Sequence, residues 1–186
     1  MIRLLLFSFL FLTACNSKPT PQHNIEVQKS ANEDQLLFSL ASELISNPTT
    51  QAEKDKNTII NYVMDQGIEV QATPSGLYYQ MIEAGEGTPA KWGDWVKVHY
   101  KGYTLDGKVF DTSYKKKKPF EFYIGNMIPG WNEGMELMRP GAKALFLIPS
   151  ALAYGEKGFR NLIPPNTVLA FEVALLNVEQ RSESRE

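Results

Sequence analysis

Apolar residues recur along this chain with two different periods, and the change of period divides it. From Asn32 to Ile45 the residues Leu37, Leu40, Ala41 and Leu44 follow helical spacing. Glu33 and Asp34 fall in the first turn, where the helix dipole favours acids, and Pro48 ends the pattern. A second helix is predicted from Thr50 through Ile59, Ile60, Val63 and Met64 to Gly67. Thr50 stands three residues before Glu53, the spacing of a capping box, and Gly67 suits a left-handed cap. Two such short amphipathic helices cannot close their apolar stripes on each other alone. They must dock on the following domain or on a second copy of the chain.

After Gly76 the period becomes two. Leu77, Tyr79 and Met81 alternate with Tyr78, Gln80 and Ile82 up to the turn Gly85-Glu86-Gly87. Val96, Val98 and Tyr100 share one face of a strand predicted to reach Leu105, before the tight turn Asp106-Gly107. Phe120, Phe122 and Ile124 alternate in a further strand. One short helix fits after Pro129-Gly130, since Trp131, Met135 and Met138 are helically spaced and Pro140-Gly141 stops it. The run Ala144 to Ile148 is a buried strand, and Val168 to Val178 is the last. Several strands with one helix predict an α+β domain, an antiparallel sheet wrapped around one short helix and preceded by a small helical segment.

The amino terminus adds an address. Arg3 precedes an apolar stretch from Leu4 to Leu12, broken only by Ser8 and followed by Thr13-Ala14-Cys15. The stretch is shorter than the roughly 20 residues of a membrane-spanning helix and has the layout of a signal peptide over residues 1–14. Leu12-Thr13-Ala14-Cys15 resembles the bacterial lipobox, in which the cysteine becomes the lipidated first residue. The alternative is a buried cysteine behind an ordinary signal peptide. Cys15 is the only cysteine, so no intramolecular disulfide can form. Residues 15–30 then read as a polar, proline-containing tether. Asn16 in place of an aspartate points, by resemblance to enterobacterial sorting, to the outer membrane facing the periplasm. Residues 31–75 form the helical segment, 76–180 the main domain and 181–186 a polar tail.

Charge narrows the partners. A net charge of −2 gives no field that would gather nucleic acid. Lys115 to Lys118 reads as a solvated loop, with an electrostatic guide for acidic clients or lipid head groups as the alternative. Gly85-Glu86-Gly87 lacks the spacing of a phosphate loop. His99 and His23 form no pair with each other or with a cysteine that would bind metal, and Ser150 has no histidine at a triad spacing. Neither a metal nor a cofactor is expected.

What remains is a series of aromatic and turn elements, namely Tyr100, Phe110-Asp111, Phe120, Ile128-Pro129-Gly130-Trp131, Tyr154-Gly155, Ile163-Pro164-Pro165 and Phe171. Taken singly, Trp131 among helically spaced methionines reads as core, and Asp111-Thr112-Ser113 as a turn or cap. In this joint order and spacing they resemble the FKBP-type peptidyl-prolyl cis-trans isomerases over roughly the last 105 residues, a normal size for one domain. The resemblance implies an FKBP-like fold and isomerisation of X-Pro bonds without a cofactor. It implies a pocket lined by Tyr100, Phe110, Asp111, Phe120, Met127, Ile128, Trp131, Tyr154, Leu162, Ile163 and Phe171. Trp131 would be its floor, Phe120 and Phe171 its walls, and Asp111 its rim. The Ile128 N–H and the Tyr154 hydroxyl would hold substrate carbonyls. Tyr100, Asp111, Trp131 and Tyr154 are the expected catalytic set.

Two positions depart from the family's best-known members, which carry an arginine near Lys116 and a histidine near Phe159. The segment between Gly125 and Ile128 is also short. Activity is expected to survive with an altered preference at the residue before proline. The implied partners are proline-containing exported polypeptides, a membrane through the lipid on Cys15, and macrolide immunosuppressant-type inhibitors. In exported relatives an amino-terminal helical segment makes a homodimer; a spacer docked on its own domain is the other arrangement open here. A small lipoprotein of this layout also resembles the gliding-motility-associated isomerases. The competing function is a chaperone or adaptor that holds proline segments with little turnover.

Overall fold

The structure is a computed structural model that describes residue 35 and residues 38–181. The signal peptide, Cys15, the tether, the start of the first predicted helix and all but the first residue of the polar tail lie outside the described residues. Helical backbone over residues 38–42 precedes helix α1 (Gln51–Gln66). The Thr50 hydroxyl accepts from Glu53 N at 3.2 Å, while Glu53 Oε2 accepts from Thr50 N at 2.8 Å and Thr49 N at 2.7 Å. Gly67 closes the helix in the left-handed conformation at φ 61°, as its position predicts. The Asn57 side chain reaches back to Ile45, accepting from its N–H at 2.9 Å and donating to its carbonyl at 2.8 Å. That pair ties the preceding segment to the helix.

Seven strands follow: β1 (Gln71–Ala72), β2 (Tyr78–Glu83), β3 (Trp95–Thr104), β4 (Val109–Thr112), β5 (Phe120–Tyr123), β6 (Lys143–Ile148) and β7 (Leu169–Glu179), with helix α2 (Pro129–Glu136) between β5 and β6. All pairings are antiparallel, in the order β1-β2-β6-β7-β3-β4. The free edge of β3 serves two partners. β5 pairs with its first half, from Trp95↔Tyr123 to Val98↔Phe120, and β4 with its second half, from Lys101↔Thr112 to Tyr103↔Val109. The strands expected from alternation are present, and the fold is the expected antiparallel sheet around one short helix. β1 and β4 were not legible as strands. β1 has only two residues, and β4 is a four-residue partner whose Asp111-Thr112 has turn chemistry.

The two faces of the sheet explain the unbroken apolar run in β6. Ala144, Phe146 and Ile148 enter the main core with Trp131 and Met135 of α2, and Val96, Val98 and Tyr100 of β3. Leu145 and Leu147 point the other way and pack with Ile59 and Val63 of α1, together with Tyr78, Tyr103 and Ala170. A strand covered on both faces has no polar side to show. Thus α1 buries its stripe on its own sheet. α2 lies close to β6 because Gly130 has no side chain: a Cβ there would meet Ile148 Cγ2 at 2.5 Å.

Two measurements check this arrangement. Ile59 is fully buried, so Ile59→Ala is expected to lower unfolding free energy by about 2–5 kcal/mol in urea titration. Glu53 is held at about 2, against its ordinary 4.5, chiefly by the N–H groups of Thr50 and Thr49. Its depressed value means that its contribution is complete above pH 4.5 and lost as pH falls towards 2. Helix content followed by circular dichroism should therefore fall over that window, and less so in Glu53→Gln.

Candidate functional site

The cluster is organised by one indole ring. Trp131 is the third residue of α2 and its N–H donates to Ile128 O at 3.0 Å, so the helix start fixes it. The ring is buried among Tyr100 (centroids 5.2 Å apart, 89° between planes), Phe171 (5.2 Å, 85°), Phe122 (5.4 Å, 56°) and Phe120 (6.4 Å, 73°). Edge-to-face contacts put the positive ring edge against a negative face. The Nε1 of Trp131 is buried and has no hydrogen-bond partner among the described residues. Most buried polar atoms are partnered, which makes this one unusual.

β3 holds the next layer through Gly102, opposite Phe171 on β7 and Asp111 on β4. A Cβ at Gly102 would fall 2.6 Å from the Phe171 ring and 2.8 Å from that of Phe110. Its absence lets those two rings meet edge to face at 5.5 Å. Half-buried Phe110, Phe120, Met127, Ile128, Tyr154 and Phe159 pack around the same core.

One acid sits at the edge. The Tyr100 hydroxyl donates to Asp111 Oδ2, and Asp111 Oδ1 accepts from Thr112 N at 2.8 Å. Burial, then the hydrogen bond to Asp111 and its charge, push the Tyr100 hydroxyl well above its ordinary 10. Burial and the Asp111 charge also raise Tyr154. Both phenols therefore stay protonated donors at neutral pH. Lys116 Nζ lies 3.9 Å from Asp111 Oδ1 with both side chains exposed, a contact worth little in water. Tyr154 stacks on Phe159 at 4.7 Å, so the residue at the family's histidine position adds apolar cover.

Ten of the eleven expected pocket residues converge here. Ile163 is buried in the same core and accepts from Phe159 N at 2.8 Å. The exception is Leu162, which is 48% exposed and lines a separate groove of about 420 Å³ with Gln51, Leu105 and Thr167. The main chain between Phe159 and Ile163 turns sharply, with Phe159 and Ile163 bridged, and this sends neighbouring side chains to different sides. Two contributors were missed. Phe122 read as an ordinary strand residue, although its alternation with Phe120 could have flagged it. Asn132 carried no motif. Its buried Oδ1 accepts from Gly125 N at 2.8 Å and Met127 N at 3.2 Å, and its Nδ2 donates to Met127 O at 2.8 Å, which shapes the short loop before α2. Among the described residues no group of three or more His, Cys, Asp or Glu could hold a metal ion.

Comparison with known proteins agrees with this fold. The sequence model described as FKBP-type peptidyl-prolyl cis-trans isomerase matches residues 86–176. A probable FKBP-type isomerase of Haemophilus influenzae is 36% identical over 172 residues, covering 89% of this chain and 71% of that protein. FkpA of Escherichia coli is 37% identical over 155 residues, 83% of this chain and 56% of its own length, so the chain spans little more than half of that relative. The crystal structure of Escherichia coli FkpA superposes with a TM-score of 0.63 at 34% identity, covering 88% of this chain and 75% of that one. An isomerase structure from Pseudomonas syringae gives 0.60 at 30% identity, covering 72% and 100%. The chain belongs to the FKBP-type peptidyl-prolyl cis-trans isomerases.

Asn132→Ala should remove the loop's three anchors and leave the Gly125 and Met127 N–H groups seeking partners. A loss of about 1–3 kcal/mol in thermal or urea unfolding is expected, and a change below the error of the measurement would contradict the anchoring role.

Proposed function

We propose that the aromatic cluster around Trp131 catalyses cis-trans isomerisation of X-Pro bonds in exported polypeptides, from a lipid anchor at Cys15 on the periplasmic side of the outer membrane. The observation that supports it most is the buried indole of Trp131 ringed by Tyr100, Phe120, Phe122 and Phe171, with the Tyr100–Asp111 pair at its edge. An X-Pro bond resists rotation by about 18–20 kcal/mol because resonance separates charge between O and N. Twisting the bond removes that separation. A water-poor aromatic surface therefore favours the twisted geometry over the planar one, and no nucleophile is needed.

In this reading the proline ring lies on Trp131 between Phe120 and Phe171, bordered by Phe110, Met127 and Ile163. The Ile128 N–H and the Tyr154 hydroxyl hold flanking carbonyls, and Asp111, fixed by Tyr100, faces the rotating imide. Leu162 contributes at most from the outer side. Macrolide-type inhibitors would occupy the same surface.

The address rests on Arg3, the apolar stretch and Thr13-Ala14-Cys15. A role with gliding-motility machinery rests on layout alone. α1 uses its apolar stripe on its own sheet, which supports the docked-spacer arrangement over a homodimer built on that helix.

A protease-coupled proline-peptide assay on the form starting after Cys15 tests the activity. Trp131→Ala and Asp111→Ala should lower kcat/KM by about tenfold or more, in the range that single transition-state contacts supply. A wild-type rate no faster than the uncatalysed tens of seconds would sink the enzyme reading. Aggregation suppression that persists in Trp131→Ala would favour the chaperone alternative.

A further inference from the structure

A buried carboxylate on the helix that precedes the main domain reaches into the loop that carries Tyr154. Asp55 lies in α1 and is 2% exposed. Its Oδ2 accepts from Ser150 N at 2.8 Å and from Ser150 Oγ at 2.6 Å, and its Oδ1 accepts from Gln51 Nε2 at 2.6 Å. Ser150 is itself 1% exposed and opens the short turn Ser150–Leu152 that leads directly to Tyr154. Nothing in the isomerisation chemistry uses Asp55. A carboxylate withdrawn from water this completely is costly unless its hydrogen bonds repay the desolvation, and two of its three bonds go to a single residue of the site-bearing loop.

Leu152, Ala153 and Tyr154 pack against the main core, and hydrogen bonds hold the loop at only a few points. Downstream of Tyr154, the Gly155 carbonyl accepts from Asn166 N at 2.8 Å. Upstream, the turn is closed by Leu152 N to Pro149 O and Ala153 N to Ser150 O, both at 3.0 Å, and its first residue is held by Asp55. Between these fixed points Ala153 adopts φ −119°, ψ −112°, outside the helical and strand regions. Tyr154 follows it and stacks on Phe159.

We propose that Asp55 is a positioning residue for the isomerase site: through Ser150 it sets the Tyr154 hydroxyl, so that α1 belongs to the catalytic frame and is more than a spacer. This rests on the proposed role of Tyr154 and adds a residue that lies 99 positions upstream in sequence. Displacing a positioned group by about 1 Å can cost up to a hundredfold in rate. The effect of losing Asp55 should therefore appear in kcat more than in KM.

The test is a double-mutant cycle on the form starting after Cys15, using Asp55→Ala, Tyr154→Phe and their combination in the proline-peptide assay, with circular dichroism and thermal unfolding alongside. Asp55→Ala should lower kcat/KM by about three- to tenfold, Asp55→Asn should restore most of it by keeping one acceptor for Ser150, and the double variant should be no slower than the slower single one. Ser150→Ala, which removes the hydroxyl and keeps the backbone bond, should give a smaller loss with the same non-additivity. It carries the cycle if Asp55→Ala does not fold. Additive losses, or lowered thermal stability with unchanged kcat/KM, would overturn the positioning role and reduce Asp55 to a structural tie. A Tyr154→Phe variant as fast as wild type would instead refute the role given to Tyr154.

Discussion

Trp131 can lie between α2 and the sheet only because the surrounding backbone leaves room for it. Gly130 lets the helix come down on Ile148, and Gly102 leaves the slot that Phe110 and Phe171 share. With the indole held from four sides by aromatic rings, the start of α2, the neighbouring strands β3 and β7 and the short loop before the helix all have fixed positions relative to one another. Interiors packed this densely transmit small displacements. The Tyr100–Asp111 pair inherits its place from this packing, since Tyr100 touches the indole and Asp111 pairs across from Gly102.

The alternating strands were legible because each buries one face in the main core and turns the other towards solvent or α1. In β6 both faces are covered, so alternation is lost and the strand reads as an unbroken apolar run at Ala144 to Ile148. β4 was illegible for the opposite reason. Asp111-Thr112 has the composition of a turn, and only the free edge of β3 makes it a strand. The boundaries of α2 were nearly right, with Met138 falling just beyond the helix yet fully buried.

The site itself was legible through its joint order, since no single residue in it differs from ordinary core or turn chemistry. What the order could not convey was direction. Leu162 and Ile163 are neighbours in sequence, and the bridged turn at Phe159 sends one outward and one into the core. Nor could it reveal polar groups whose work is to hold backbone. Asn132 and Asp55 fit the helical pattern as ordinary polar positions, and only the fold shows that they face loops bordering the cluster. The lesson for related sequences is that a buried Asn or Asp on a helix should be followed to the loop it grips.

The central claim is that proline binds on Trp131. The chain has three tryptophans, and the other two, Trp92 and Trp95, line a different groove of about 660 Å³ with Tyr123 and Arg181. Isotope-labelled protein mixed with an unlabelled proline-containing peptide therefore offers a direct test by nuclear Overhauser contacts. The account predicts contacts from the proline ring protons to the Trp131 indole and the Phe171 ring. Contacts confined to Trp92 and Trp95, with Trp131 unperturbed, would contradict it.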